Sequence, residues 1–447
     1  MTEARSLAVA LMSRRDGLEQ LEPCWRLIDD VLNANVKQRT GDGWRSPYFP
    51  KGRLEAANEY SLRVELTPFF PQTPQILASR LGALFKNRLP IEFSGDDAGQ
   101  PQDNALEGLS DCGMNMQRFL KEAGRRHVSF EDIATQAACL SQSHGFCAAL
   151  LDRDPLPADA LDRAPSQAEA SARNLGRPYL ALYAASDTLD WEYGSDGRLA
   201  WVKFGEREIT RSSWDAPGVE ELVYRIVDRE AIHVYRARRD GLGDWKIFTE
   251  PPVPHSFADR VPVVFVHPFP GPDGIGRPLL RRAAESDVAA ARVLSDLVWD
   301  LFVLGNPILT LKTSRREDEL ARLGLGATRY IPLRNGVPGH ENPESLEFVQ
   351  LDPTGIELLF RAHALFASHA QSNPGSDGAD DAAIPTTQSG VAHAWRFKTG
   401  EERVLFMLSR ALEPFLNECL ELAAIALNDD PASAPRVKMP ESFDNAG

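Results

Sequence analysis

The sequence predicts an α+β fold, and three observations carry that prediction. Segments with apolar residues at three-and-four spacing occupy both ends of the chain. Between them, 179–268 breaks into short runs rich in β-branched and aromatic residues: "YLALYAA", "LAWVKFG", "ELVYRIVD", "AIHVYRARR", "DWKIFTE" and "VPVVFVH". The turn sequences "YGSDGR" and "RDGLGD" punctuate those runs, as an antiparallel meander requires.

In chain order, 1–150 is mainly helical. Short helices are expected over 2–22 and 24–35. A clearer one covers "PQILASRLGALFKN", 74–87, where Ile76, Leu77, Leu81, Leu84 and Phe85 share a face and Pro74 lies in the first turn. Residues 115–150 read as two helices split near "RRHVSFED", with Ser129 as a cap ahead of Glu131 and Asp132. "HGFCAALLD" then turns strand-like. The stretch 153–178 is rich in Pro, Ala, Asp and Ser and reads as an exposed loop before the meander.

After the meander, the apolar spacing of Leu280, Leu294, Val298, Leu301 and Phe302 predicts a helix over 277–304, roughly 40 Å long. A compact insert, 306–350, follows: strand "PILTLK", short helix "RREDELARL", strands "TRYIPL" and "SLEFVQL". Asp352 and Pro353 then combine an N-cap with a first-turn proline. The helix they start runs to Gln371 with Ile356, Leu359, Phe360 and His363 on one face. A final long helix, 389–428, is interrupted at Gly400 and kinked at Pro414. The tail, 429–447, reads as disordered.

Composition narrows the function classes. A net charge of −15 argues against a protein that grips phosphates over a broad surface, which needs clustered Lys and Arg. The cysteines are odd in number, five, with no CxxC pair, which suggests reduced thiols. The six-residue apolar run near the N-terminus is too short for a signal peptide, and no run of about 18 apolar residues predicts a membrane span.

The chemical motifs are weak. "GPDGIGR" lacks both the GK[ST] ending of a phosphate loop and the third glycine of a dinucleotide fingerprint, so it reads as a turn before a helix. His144 and Cys147 form an HxxC pair without further ligands at metal spacing. "GSDG" at 375–378 is not a nucleophile elbow. No catalytic residue, metal site or cofactor is expected, and the chain is not expected to be an enzyme. The acidic stretch within "LFASHAQSNPGSDGADDAAIPTTQSGVAHAWRF" separates two good helices and holds Asp377, Asp380 and Asp381 without Lys or Arg. An active-site lid, a linker and a loop projecting into a channel all fit it.

The order of these elements, with specific residues, resembles the portal proteins of tailed double-stranded DNA bacteriophages over roughly 60–430. "VPVVFVHPF" followed by "GRPLLRRAAESDVAAARVLSDLVWDLFVLGNPILTL" is similar to that family's strand and first stem helix. "LGLGATRYIPLRNG" resembles part of its clip. "SLEFVQLDPTGIELLFRAHALFASHAQ" resembles the last clip strand and second stem helix. "TTQSGVAHAWRF" resembles the helix start after its tunnel loop, and "LASRLGALFKNRLPIEF" a wing helix and strand.

The resemblance implies a wing over 1–273, stem helices over 274–304 and 352–371, a clip over 305–351, a tunnel loop over 372–388 and a kinked wing helix over 389–428. With no long helix after Asn428, it implies no large crown. The tunnel loop would turn Asn373, Asp377, Asp380 and Asp381 toward the channel. Arg361, His363 and His369 would face the channel or a neighbouring subunit. Leu280, Leu294, Val298, Ile356 and Phe360 would pack the stem. The implied assembly is a homo-oligomeric ring, usually of twelve subunits, at one capsid vertex, built in the bacterial cytoplasm. Its implied partners are the terminase large subunit, head–tail connector proteins, major capsid and scaffold proteins, and double-stranded DNA passing non-specifically. A net-negative channel would repel phosphate and lower friction. The competing expectations are a soluble enzyme with 372–388 as a lid, and a monomeric α+β binding or scaffold protein.

Overall fold

A computed structural model of the chain describes residues 2–53, 55–93, 111–154, 176–239 apart from 212, 216 and 217, 245–305 apart from 256, 258, 272 and 273, 308–312, 345–349, 354–371, 401–441 and 443. Its helices are α1 (Thr2–Met12), α2 (Glu22–Leu32), α3 (Ala57–Leu66), α4 (Thr73–Leu84), α5 (Asp111–Lys121), α6 (Phe130–His144), α7 (Arg281–Gly305), α8 (Thr354–Gln371) and α9 (Glu402–Ala426). Its strands are β1 (Gln38–Thr40), β2 (Gly43–Arg45), β3 (Ile91–Glu92), β4 (Cys147–Arg153), β5 (Pro178–Ala184), β6 (Thr188–Tyr193), β7 (Leu199–Thr210), β8 (Val219–Asp228), β9 (Ala231–Arg239), β10 (Trp245–Thr249), β11 (Val253–Pro254), β12 (Val263–Val266), β13 (Ile308–Lys312), β14 (Ser345–Val349) and β15 (Arg436–Val437). The mixture of helix and sheet is α+β, as the sequence predicts.

Two compact units divide the chain. The first comprises 1–33, 72–285 and 371–447; the second comprises 34–71 and 286–370. The expected single wing over 1–273 is thus corrected: 34–71 belongs with most of α7 and α8. Nothing in the composition of 34–71 marked it for a core shared with Ala291 of α7.

In the first unit, β4 is the middle strand of a three-stranded sheet ordered β12-β4-β5. Its "CAALL" run is apolar without alternation because both faces are covered. Cys147, Ala149 and Leu151 join a core with α6 and α9, including Phe130, Leu412, Phe415 and Leu420. Ala148 and Leu150 face the opposite way, into a core with Phe146, Trp191, Phe204 and Val223. This is the two-residue side-chain period of a strand applied to a strand with no wet face.

The second sheet of this unit runs β10-β9-β8-β7-β6, a true antiparallel meander, with β11 also pairing β9. The predicted continuous meander therefore needs correction at both ends. β5 and β12 do not join it; each pairs with β4, through Cys147↔Ala184 and Val266↔Cys147.

Ser129 caps α6 as expected: its Oγ accepts from the Asp132 amide, and Asp132 reaches back to the Ser129 amide. At the other end Gly145 takes a left-handed conformation, φ 94°. A Cβ on Gly145 would lie 2.4 Å from the Gly276 carbonyl oxygen, and one on Gly276 would lie 2.1 Å from the Gly145 carbonyl oxygen. The glycine-rich "GPDGIGR" is a turn, closed by Gly271 N–H donating to the Ile275 carbonyl at 2.8 Å, and its last glycine serves this backbone contact.

The tail is a second correction. Residues 431–441 and 443 are ordered onto the first unit. β15 pairs with β3, and Val437, Met439 and Phe443 are buried. Asn417 of α9 holds the strand from both sides: its Nδ2 donates to the Val437 carbonyl at 3.1 Å and its Oδ1 accepts from the Val437 amide at 2.7 Å. α9 continues through Pro414, and the predicted stretch 389–400 lies outside the described residues.

The second unit holds the β1–β2 hairpin, α3, most of α7, the β13–β14 pair and α8. Phe49, Val64 and Ala291 form its small core, with Trp44, Tyr48, Tyr60 and Phe69 around them.

Candidate assembly surface

The most elaborate polar construction in the second unit is built on Arg63 of α3, only 7% exposed. Its guanidinium forks onto Glu55, with Nε at 2.8 Å from Oε1 and Nη2 at 3.0 Å from Oε2. The same group donates to the Pro50 carbonyl at 2.9 Å and to Ser295 Oγ of α7 at 2.9 Å. Thr67 Oγ1 donates to the Arg63 carbonyl at 2.7 Å and lies 2.9 Å from Ser295 Oγ. A planar guanidinium suits this work because its donors point in fixed directions toward several acceptors at once. Hydrogen bonds from Arg63 hold Glu55 below the ordinary carboxylate value, and those to Glu55 raise Arg63.

This network fastens α3 to the middle of α7 beside an open cleft of about 350 Å³. Glu55, Glu59, Arg63, Asp296, Trp299 and Asp300 line it, so carboxylates outnumber the one cation. Asp296 and Asp300 are one helical turn apart, and desolvation raises both carboxyls, with Asp300 adding to the rise at Asp296 and Arg63 opposing it.

Past the cleft, apolar side chains face solvent. On α7, Leu301 is 47% exposed, and the Phe302 ring, also exposed, stacks on Trp299 at 5.6 Å. On α8, Leu358 is 63% and Phe360 54% exposed. The half-buried stripe of α8 is Ile356, Leu359, His363 and Phe366. Arg361 lies on the opposite face, in an exposed ion pair with Glu357 at 2.7 Å.

The predicted residues distribute as follows. Leu294 and Val298 are half-buried on α7, and Ile356 is half-buried on α8. Phe360 departs from its expected apolar stripe and faces solvent in the single chain. Leu280 is fully buried but precedes α7 and belongs to the first unit, where its amide reaches the Gln142 carbonyl at 3.3 Å. His369 lies on α8, its side chain outside the described residues, as are Asn373, Asp377, Asp380 and Asp381. Sequence reasoning missed Arg63, Glu55, Ser295, Asp296, Trp299 and Asp300. The i, i+4 spacing of Asp296 and Asp300 is one of several charged positions along α7 and did not mark them out.

His144 and Cys147 are packing residues: His144 lies 3.4 Å from Asp29 and its ring sits against Trp25, while Cys147 is buried, its thiol pushed up by burial. Among the described residues no group of three His, Cys, Asp or Glu side chains is placed to hold a metal ion. No described helix is long and apolar enough to cross a membrane.

No family model matches the chain, and no curated protein matches it. Among solved structures, it is similar to a chain in the neck of an empty GTA particle computed with C6 symmetry, at TM-score 0.39 and 14% identity, covering 86% of this chain and 84% of that one. It is also similar to a chain in the neck of a native GTA particle computed with C12 symmetry, at TM-score 0.36 and 12% identity, covering 85% and 83%. A third is a chain in the virion of a native gene transfer agent particle, at TM-score 0.34 and 14% identity, covering 83% and 90%. Likeness at this level fixes neither the fold nor the role of this chain.

Proposed function

We propose that this chain is a portal-type subunit, which closes into a ring at one vertex of a phage-like capsid and lines the passage for double-stranded DNA. One observation carries the reading. α7 and α8 are joined through the antiparallel pair β13–β14, and each leaves large apolar side chains exposed on the single chain. Such surface is costly in water and is relieved when a second copy covers it. A ring of about twelve copies would do so through two different faces of each subunit. The acidic balance suits a passage that DNA traverses without being gripped. In this reading the terminase large subunit and then head–tail connector proteins dock on the clip, scaffold and major capsid proteins surround the ring, and the chain performs no catalysis.

Native mass spectrometry with negative-stain imaging tests it. Annular particles near twelve times 49.4 kDa are the expected result. A monomer at every concentration, with or without scaffold protein, would overturn the ring and favour a monomeric binding or scaffold protein.

A further inference from the structure

We propose that α1 is a releasable strap over the back face of the meander, latched at its C-terminal end by Lys203 of β7 and pivoting at Ser13 and Arg14. The strap does not depend on whether the chain closes into rings.

The latch begins with a lysine where an apolar residue would be expected. Val202 and Phe204 point into the core shared with β4, so the side chain between them belongs to the other face of the sheet. That face is apolar: Leu189, Tyr224 and Ala237 are buried on it, with Tyr235, Trp245 and Ile247 partly covered around them. Lys203 sits there, opposite Ile226, and is 5% exposed. Its Nζ donates to the Ala10 carbonyl at 2.9 Å, the Ser13 carbonyl at 2.7 Å and Ser13 Oγ at 3.0 Å. None of these oxygens is a carboxylate, and all lie at the end of α1. There a cation meets the unpaired carbonyls and the negative pole of the helix.

The rest of the hold on α1 is slight. Of its described side chains, 7–12, only Leu11 is buried, while Leu7 and Val9 face solvent. The chain just after it is anchored separately. The Arg15 amide donates to the Leu189 carbonyl at 2.8 Å, its Nη1 donates to the Trp191 carbonyl at 2.5 Å, and its guanidinium lies 4.6 Å from the centre of the Trp191 ring. Opening of α1 can therefore stop at Arg15 and leave β6 in place. Lys203 makes that opening easier. Desolvation lowers its ammonium below the ordinary value, with Asp190 opposing, and release returns the charge to water, which offsets part of the three lost bonds. The remaining cost is the apolar cover that Leu11 gives Leu189, Tyr224 and Ala237. α1 should thus open as a unit well below the free energy of global unfolding. Released, it bares a sheet face rich in Tyr and Trp that the resting chain keeps covered.

Native-state hydrogen exchange and amine labelling of the full chain test the strap. In the wild type, the hydrogen-bonded amides of α1 should exchange about a hundredfold faster than those of β8, with one shared denaturant dependence. Lys203→Met should speed α1 exchange about tenfold more and leave β8 unchanged, and Ser13→Ala should speed it about threefold. Acetylation by an N-hydroxysuccinimide ester, read by mass spectrometry, should reach Lys203 slowly. Leu11→Ser should raise that rate about tenfold without altering Lys246, which is exposed on β10. Exchange of α1 and β8 in one common step, with Lys203 labelled only on global unfolding, would overturn the strap. Unchanged α1 exchange in both Lys203→Met and Ser13→Ala would overturn the latch. If Lys203→Met fails to fold by circular dichroism, Ser13→Ala and the labelling of the wild type decide by the same criteria.

Discussion

Arg80 Nε lies 3.0 Å from Glu401 Oε2, and Arg80 Nη2 lies 3.3 Å from Glu401 Oε1. Arg80, on α4, is 2% exposed, whereas the Glu401 side chain, next to the start of α9, keeps 28% of its surface. The pair fixes the root of the last helix to an N-terminal one, at the first described residue after 372–400.

The unequal burial predicts unequal costs. Glu401→Ala strands a buried guanidinium and should cost about 3–5 kcal/mol. Arg80→Leu leaves a carboxylate that can still reach water, so it should cost less. Urea midpoints with matched m-values measure the difference. Equal costs would mean that solvent reaches Arg80 as readily as Glu401.

The C-terminal strap should be structural. Asn417→Ala removes both bonds to Val437 and leaves that backbone short of partners, a loss of about 1–3 kcal/mol. Met439→Ala, at 3% exposure, should cost about 2–5 kcal/mol. Both variants should lose amide-exchange protection in β3 along with β15. Unchanged protection in β3 would show that the tail is not part of that core.

Phe360→Asp and Leu358→Asp should separate assembly from folding. Both side chains are exposed in the single chain, so monomer stability should shift by no more than about 0.5 kcal/mol. Rings should be lost. Leu294→Asp, half-buried on α7, should impair both folding and assembly. Intact rings from Phe360→Asp and Leu358→Asp would remove α8 from the interface.

Asp300 gives a pH dependence with a definite sign. Its folded value is raised by desolvation. Between the unfolded value, about 3.9, and that raised value, the folded chain holds more protons, so its contribution to stability falls as pH rises through the window. Asp300→Asn should therefore raise the urea midpoint of the unassembled chain at neutral pH, with the gain disappearing below pH 4. A midpoint that drops at neutral pH would mean that the ionised carboxylate stabilises the chain.

Much of the fold was legible where periodicity alone decides it. The unalternating run of β4 and the cap at Ser129 each follow from a local rule that burial then honoured, and the three-and-four spacing of α7 and α8 marked both as helices although Leu301, Phe302 and Phe360 on their apolar faces stay exposed. Strand order was not legible. Tyr179–Ala184 reads as the first rung of the meander because it is adjacent in sequence, yet its hydrogen bonds go to β4, a choice made by tertiary pairing. The tail misled through composition: Val437, Met439 and Phe443 are sparse among prolines and polar residues, and the partners that hold them, β3 and the Asn417, Glu413 and Ser409 side chains of α9, lie outside the tail itself. Phe360 sits beside Ile356 on the helical wheel, but the stripe of α8 that is covered is rotated toward Leu359 and Phe366. Arg63 in "NEYSLRVEL" has the look of a solvated helical arginine; its partners arrive from a turn and from a helix more than two hundred residues later, which no local pattern encodes.

The back-to-back contact of Gly145 and Gly276 closes both positions to variation at once. Each glycine's missing Cβ is occupied by the other's backbone carbonyl, so a second substitution elsewhere has no side chain to shrink in compensation. A mutational library across this protein should show two isolated columns of intolerance at these sites, inherited from main chain meeting main chain and untouched by whatever the protein's partners require.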